Sequence, residues 1–212
     1  MNSTAKTYTD TMWKIVLTGF APFDGRSQNA SWITAKALAA ADPQLSLRAV
    51  LVPVCWGAPR QVLAPLVSQY RPGCIIAMGE GEPGVFRLET VARNARRKRA
   101  DNDGRFPERE CTEIDGPEYR AATADCAALQ IALSAQGVPV KLSEDAGAFL
   151  CEEMLYTLEG LRENHESLRV VLFVHLPPYG TELLYRGQTR TCDETLLLDF
   201  GQRLLRCLNI PD

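Results

Sequence analysis

The 212-residue chain carries 23 Lys and Arg against 26 Asp and Glu, a formal charge of -3, and 46% of its residues are apolar. This balance suits one globular unit with a sizeable core and gives no global attraction to nucleic acid or an anionic membrane surface. No apolar run approaches the ~20 residues that a helical membrane span needs.

The opening stretch 1–11 is polar and lacks the apolar centre of a secretory signal, so it is predicted as a disordered lead-in to a single domain over 12–212. Lys14–Thr18 is a short apolar, β-branched run that reads as a buried strand ending at Gly19. Asn29 or Ser31 is placed to cap a helix through Trp32, Ile33, Leu38 and Ala41, with Pro43 beyond its end. Leu47–Val54 alternates as a second strand. Pro59 suits the first turn of a further helix, and Pro65 within it predicts a kink or a break.

Cys74–Met78 is a third buried strand. Ala121–Gln136 is predicted as a helix ended by Gly137, and Val138–Leu142 as another strand. A helix follows from about Phe149 to Arg162, then Leu168–His175 as the longest apolar strand, then a closing amphipathic helix over Cys192–Leu208. Strands separated by helices imply an α/β fold, a three-layer α/β/α sandwich on a mostly parallel sheet. In such sheets sites gather at the carboxyl ends of strands. Gly19 and Phe20, Gly79 and Glu80, Ser143 and Glu144, and His175 are therefore expected on one rim.

Arg93–Arg120 is too long and polar for a tight connection, and such segments serve as lids or binding loops. Its Arg96-Arg97-Lys98-Arg99 run reads as a solvated face balanced by Glu108, Glu110, Glu113 and Asp115, in preference to a nucleic-acid site. The seven cysteines are scattered, without a C-x-x-C pair, which suits reduced thiols in a cytoplasmic protein and offers no zinc-ligand spacing.

Cys151 stands at the start of the helix after Ser143-Glu-Asp-Ala-Gly-Ala-Phe-Leu, and His175 closes the run Val170-Val-Leu-Phe-Val-His. A thiolate is the nucleophilic form, and a helix N-terminus and a neighbouring imidazolium both stabilise it. Backbone N–H groups at that helix start are suited to an oxyanion. The other histidine, His165, lies in a polar stretch expected to be exposed. On local pattern alone Cys151 reads first as a core cysteine bordering the Leu150, Met154, Leu158 and Leu161 stripe, and its pairing with His175 brings the catalytic reading level. Glu89 is a candidate to orient the imidazole; its other reading is an edge-strand carboxylate paired with Arg87 or Arg93.

Four segments resemble one family. Thr18-Gly-Phe-Ala-Pro-Phe-Asp-Gly25 with Asn29-Ala-Ser31, Glu89-Thr-Val-Ala-Arg-Asn94, Ser143 through Cys151, and Phe173-Val-His-Leu-Pro177 are together similar to pyroglutamyl peptidase I. The resemblance implies release of N-terminal L-pyroglutamate from peptides through a thioester, without metal or cofactor, by a cytoplasmic homotetramer. It implies Cys151 as nucleophile, His175 as general base and acid, and Glu89 as orienting carboxylate. It further implies Phe20 and Phe23 around the lactam ring, Asn29 fixing the first loop, and Arg99 near the oxyanion region. The chain departs from the family at Glu80-Gly-Glu-Pro-Gly84, where Gln-Ala-Gly-Gly-Arg is usual, at Asp24 for glycine and at Glu152 for asparagine. An ionised Glu80 only accepts hydrogen bonds, so it would take a lactam N–H and repel its carbonyl. Two other readings are a cysteine hydrolase of another small cyclic or acyl amide, and a non-catalytic small-molecule-binding relative.

Overall fold

The computed structural model describes residues 14–41 and 46–209. The predicted lead-in at 1–11, the start of the fold at Met12, and Pro43 lie outside the described residues. β1 (Ile15–Phe20) carries the first apolar run on through Gly19 to Phe20. α1 (Ala30–Ala41) follows Asn29, whose Oδ1 accepts the Ser31 N–H at 3.0 Å. β2 (Leu47–Val52) is followed by α2 (Ala58–Tyr70), which continues through Pro65 without the predicted break. Buried Leu63, Leu66 and Val67 hold both of its halves against the sheet, which offsets the missing hydrogen bond.

β3 (Cys74–Glu80) leads into β4 (Phe86–Glu89), β5 (Val91–Arg93) and β6 (Tyr119–Ala121). α3 (Cys126–Ser134) is shorter than predicted, because the Asp125 side chain caps the Ala128 N–H at 2.9 Å and leaves Ala121 in β6. Then come β7 (Val140–Ser143), α4 (Leu150–Glu163), β8 (Val170–Leu176), β9 (Glu182–Tyr185), β10 (Gln188–Thr191) and α5 (Glu194–Cys207).

The main sheet has the order β2-β1-β3-β8-β4-β7, and every pairing is parallel except β4 with β8. Only residues 81–85 separate β3 from β4, too few for the crossover of a dozen or more residues that a parallel return requires. Side chains alternate between the faces. Leu17, Ile76, Met78, Leu172 and Val174 pack under α1, α3 and α5, while Val16, Ile75, Ala77, Val171 and Phe173 pack under α2 and α4. The three expected layers are present, and the fold is α/β.

The 93–120 segment is tied down where a solvated loop was expected. The β5–β6 ladder closes its base, Asn94 Oδ1 accepts the N–H groups of Thr112 and Glu113, and the Trp56 indole donates to Arg99 O at 2.9 Å. Its basic run is balanced by carboxylates from elsewhere: Arg96 faces buried Glu153 at 3.0 Å and Arg99 pairs with Asp24 at 2.6 Å. Stacking contributes to this correction, because Arg96 lies over Trp56 and Arg99 over Phe149.

Candidate active site

The antiparallel register of β4 on β8 sets Arg87 opposite His175 and Glu89 opposite Phe173. β3 places Gly79 beside His175 on the other side. By the two-residue period these side chains share the sheet face covered by α4. His175 Nδ1 bonds Glu89 Oε1 at 2.6 Å, and both side chains are buried. Of the two readings of Glu89, the ion pair is present as well: Arg87 Nε lies 3.6 Å from the same oxygen. Glu89 is not on an edge, since β4 sits between β8 and β7.

The Cys151 sulfur and the His175 ring meet around Gly79, where a single Cβ would lie 2.7 Å from Sγ and 3.5 Å from Cδ2. Burial works to lower the imidazole pKa, but the Cys151 charge and hydrogen bond, followed by those of Glu89, raise it from 6.5 to about 9. An imidazolium in this position is the partner a thiolate needs.

Cys151 is the second residue of α4, and no side chain caps that helix start. The turn before it holds Gly147 at φ 91° and Ala148 at φ 52°. The left-handed Ala148 is held from both sides: its N–H donates to Glu152 Oε2 at 3.2 Å and its carbonyl accepts from Arg97 N at 2.6 Å. Glu152 Oε1 also takes the Arg93 N–H at 2.6 Å, and Glu153 takes the Gly57 N–H at 2.8 Å. Burial raises the pKa of both carboxyls, and these backbone donors and nearby arginines work against that rise. The absence of a side chain at Gly79 makes room for the sulfur, because a Cβ there would lie 2.7 Å from Cys151 Sγ.

A small pocket opens beside Cys151, lined by Phe20, Phe23, Asn29, Val54, Glu80, Phe149 and Leu150. Four of the predicted binding residues thus converge on the thiol. Arg99 lies outside that lining, at the rim, with its guanidinium 4.5 Å from the centre of the Phe149 ring. Ser143 is turned into a local bond with Asp145 and does not line the pocket. His165 is half-buried, with its ring nitrogens bonded to Leu161 O at 2.8 Å and Ser68 Oγ at 3.2 Å.

Residues 13–189 match the pyroglutamyl peptidase family. The chain belongs to that family. Its members are cysteine peptidases that release N-terminal pyroglutamate from peptides. The chain is 34% identical over 192 residues to the pyrrolidone-carboxylate peptidase of Cupriavidus taiwanensis, covering 86% of this chain and 87% of that one. It is 32% identical over 170 residues to the pyrrolidone-carboxylate peptidase of Bacillus cereus, covering 78% and 79% of the two chains. Among solved structures it resembles pyroglutamyl peptidase I of Bacillus amyloliquefaciens, with a TM-score of 0.77, 25% identity and coverage of 90% and 93%. It also resembles the pyrrolidone carboxyl peptidase of Fervidobacterium islandicum, with a TM-score of 0.78, 26% identity and coverage of 92% and 99%. No helix among the described residues is long and apolar enough to cross a membrane.

Against the family pattern, Asp24 occupies a left-handed position, φ 52°, where glycine is usual. Glu80 is almost fully committed to protein donors. Its Oε1 accepts from Ala30 N at 2.7 Å and Tyr179 N at 3.2 Å, and its Oε2 pairs with Arg26 at 2.8 Å. The carboxylate expected to confront a lactam also holds the start of α1 and the segment after β8. Val54, Phe149 and Leu150 in the pocket, and the buried staples Glu152 and Glu153, were not singled out for these roles by sequence. The only signal for them is the adjacency of Phe149, Leu150, Glu152 and Glu153 to Cys151.

Proposed function

We propose that this protein hydrolyses the bond after an N-terminal L-pyroglutamyl residue, with Cys151 as nucleophile, His175 as general base and acid, and Glu89 as the carboxylate that orients the ring. One observation carries the reading: His175 is hydrogen-bonded to Glu89 at 2.6 Å and meets the Cys151 sulfur around Gly79, beside an apolar pocket. That grouping favours a hydrolase over an inert binding relative.

The ring of pyroglutamate is flat, neutral and without a free amine. Phe20, Phe23, Val54 and Phe149 supply apolar walls for it. With three donors already on Glu80, about one lone-pair site remains to accept the lactam N–H. The Cys151 thiolate attacks the scissile carbonyl carbon, and the oxyanion faces the free N–H groups at the uncapped start of α4. The C–N bond breaks as His175 gives its proton to the leaving amine. Water then gives a proton to His175 and attacks the thioester; pyroglutamate leaves and the thiol is restored. Asn29 fixes the first loop through its bonds to Ala21 O and Ser31, and Arg99 braces Phe149 at the rim.

The proposal extends to a single catalytic domain over 12–212, a polar lead-in at 1–11, a cytoplasmic location and a homotetramer. Seven unpaired cysteines support the reducing compartment, and the family resemblance supports the tetramer. The test is chromophore release from a pyroglutamyl amide, with a prolyl amide and Cys151→Ala as controls. Turnover confined to pyroglutamate and abolished in Cys151→Ala is expected. Full activity in Cys151→Ala overturns the mechanism. No turnover with a hyper-reactive Cys151 transfers the chemistry to another small cyclic or acyl amide.

A further inference from the structure

Arg87 lies in the same row of side chains as the catalytic groups and has no part in the steps above. Its Nη2 is 3.4 Å from His175 Nδ1, its Nε is 3.6 Å from Glu89 Oε1, and its Nη1 is 3.2 Å from Glu82 Oε1. While Nδ1–H donates to Glu89, the guanidinium has nothing to donate to on that nitrogen. Arginine carries its charge at every accessible pH. A fixed cation is therefore pressed against a ring that must itself become a cation. The Arg87 side chain is only 20% exposed, so water screens this repulsion in part, whereas Glu82 on the turn before β4 is 71% exposed. Arg87 Nε and Glu89 Oε2 are both buried without a hydrogen-bond partner. An arginine placed merely to pair with Glu89 would close that gap.

The remaining charged and titratable neighbours do not cancel the effect. Cys126, from α3, sits 3.7 Å from Glu89 O, and burial pushes its thiol up to about 12, so it stays neutral. β3 and the turn after it present Gly79 and Gly81 to the ring. Glu80, one residue further along from Gly79, is tied to Arg26. Cys151 from α4 and Glu89 from β4 are the two groups that favour the protonated ring.

We infer that Glu82 and Arg87 form a charge arm that sets the pH range of the Cys151–His175 pair: Arg87 disfavours the imidazolium and Glu82 moderates Arg87. Arg87 is a positioning residue acting through His175. The inference rests on the catalytic reading given above.

The experiment is the pH dependence of kcat/KM on a pyroglutamyl amide, whose alkaline limb reports loss of the shared proton from the pair. Arg87→Met moves that limb up by about one pH unit. Arg87→Lys keeps a cation and holds the limb close to its wild-type position. Glu82→Gln frees the Arg87 charge and moves the limb down, by less because the site is exposed. A role in packing alone gives no such pair of opposite shifts. Unmoved limbs, or shifts of the same sign, overturn the arm while a dead Cys151→Ala leaves the catalytic reading intact. An active Cys151→Ala overturns both. Should Arg87→Met fail to fold, Glu82→Gln at its exposed position decides the question alone.

Discussion

Gly79→Ala is the sharpest probe of how Cys151, the proposed nucleophile, is seated. A Cβ at this position would lie 2.7 Å from Cys151 Sγ, 3.2 Å from Phe173 Cζ and 3.5 Å from His175 Cδ2. Non-bonded heavy atoms rest at about 3.5–4.0 Å, so the sulfur is overlapped by about 1 Å, while the two rings need little or no adjustment. The cheapest relief is rotation of the Cys151 side chain, which carries the sulfur away from the imidazole. A misplacement of about 1 Å at a reacting atom costs roughly a hundredfold in rate. Overpacking of one methyl costs about 1–3 kcal/mol, which leaves the domain folded. Gly79 does not line the substrate pocket, so KM should change little while kcat falls about a hundredfold. Steady-state kinetics on a pyroglutamyl amide, with thermal unfolding as the control for fold, measures both. A folded Gly79→Ala with wild-type kcat refutes the reasoning, because the sulfur would then not be held where the structure puts it.

Glu89→Gln removes the charge that favours the protonated ring, so kcat should fall by about 10²–10⁴ and the alkaline limb of the pH profile should move down. Activity within threefold of wild type would remove Glu89 from the mechanism. Iodoacetamide should alkylate Cys151 ahead of the other six cysteines. Cys74, Cys126 and Cys192 in particular should resist, since burial pushes their thiols up to about 12; uniform labelling in peptide mapping refutes this. Glu159 lies buried on α4, and burial raises its carboxyl from 4.5 to about 7 against the pull of Thr123 and Arg162. The folded state then holds an extra proton between those values. Its contribution is complete below pH 4.5 and is lost as pH rises through 7, roughly 3 kcal/mol across the window. Denaturant unfolding of wild type and Glu159→Gln at pH 5 and pH 8 checks the sign; a difference independent of pH contradicts it.

What the sequence displays and what it hides follow from the range of the forces involved. The central strands β1, β3 and β8 are buried on both faces, so they appear as unbroken apolar runs, and their carboxyl ends point to the site. β4 is hidden because Arg87 and Glu89 interrupt its apolar pattern, and these are the residues that meet His175. A strand that brings polar groups to the site is thus one whose local signal is weak. On α4 the amphipathic rule reads Glu152, Glu153 and Glu159 as surface, yet all three are buried. Each is satisfied by a backbone N–H far along the chain: Arg93 for Glu152, Gly57 for Glu153 and Thr123 for Glu159. No periodicity in a fifteen-residue window encodes a partner 36 to 96 residues away. Glu80 shows the same limit, since its charge is legible but its three donors, from Arg26, Ala30 and Tyr179, are not.

These staples also bear on catalysis. Two carboxylates in the first turn of α4 complement the helix dipole, but they set negative charge beside the sulfur that the proposed mechanism uses as an anion. Their oxygens are spent on backbone N–H groups and on Arg96, which ties the 93–99 segment and the Gly57 turn to the nucleophile's helix. On the proposed mechanism that arrangement leaves His175 to supply the cation facing the thiol. On the mechanism proposed above, the protonation of one imidazole, with Glu89 at 2.6 Å and Arg87 at 3.4 Å from its Nδ1, then governs whether the site is armed.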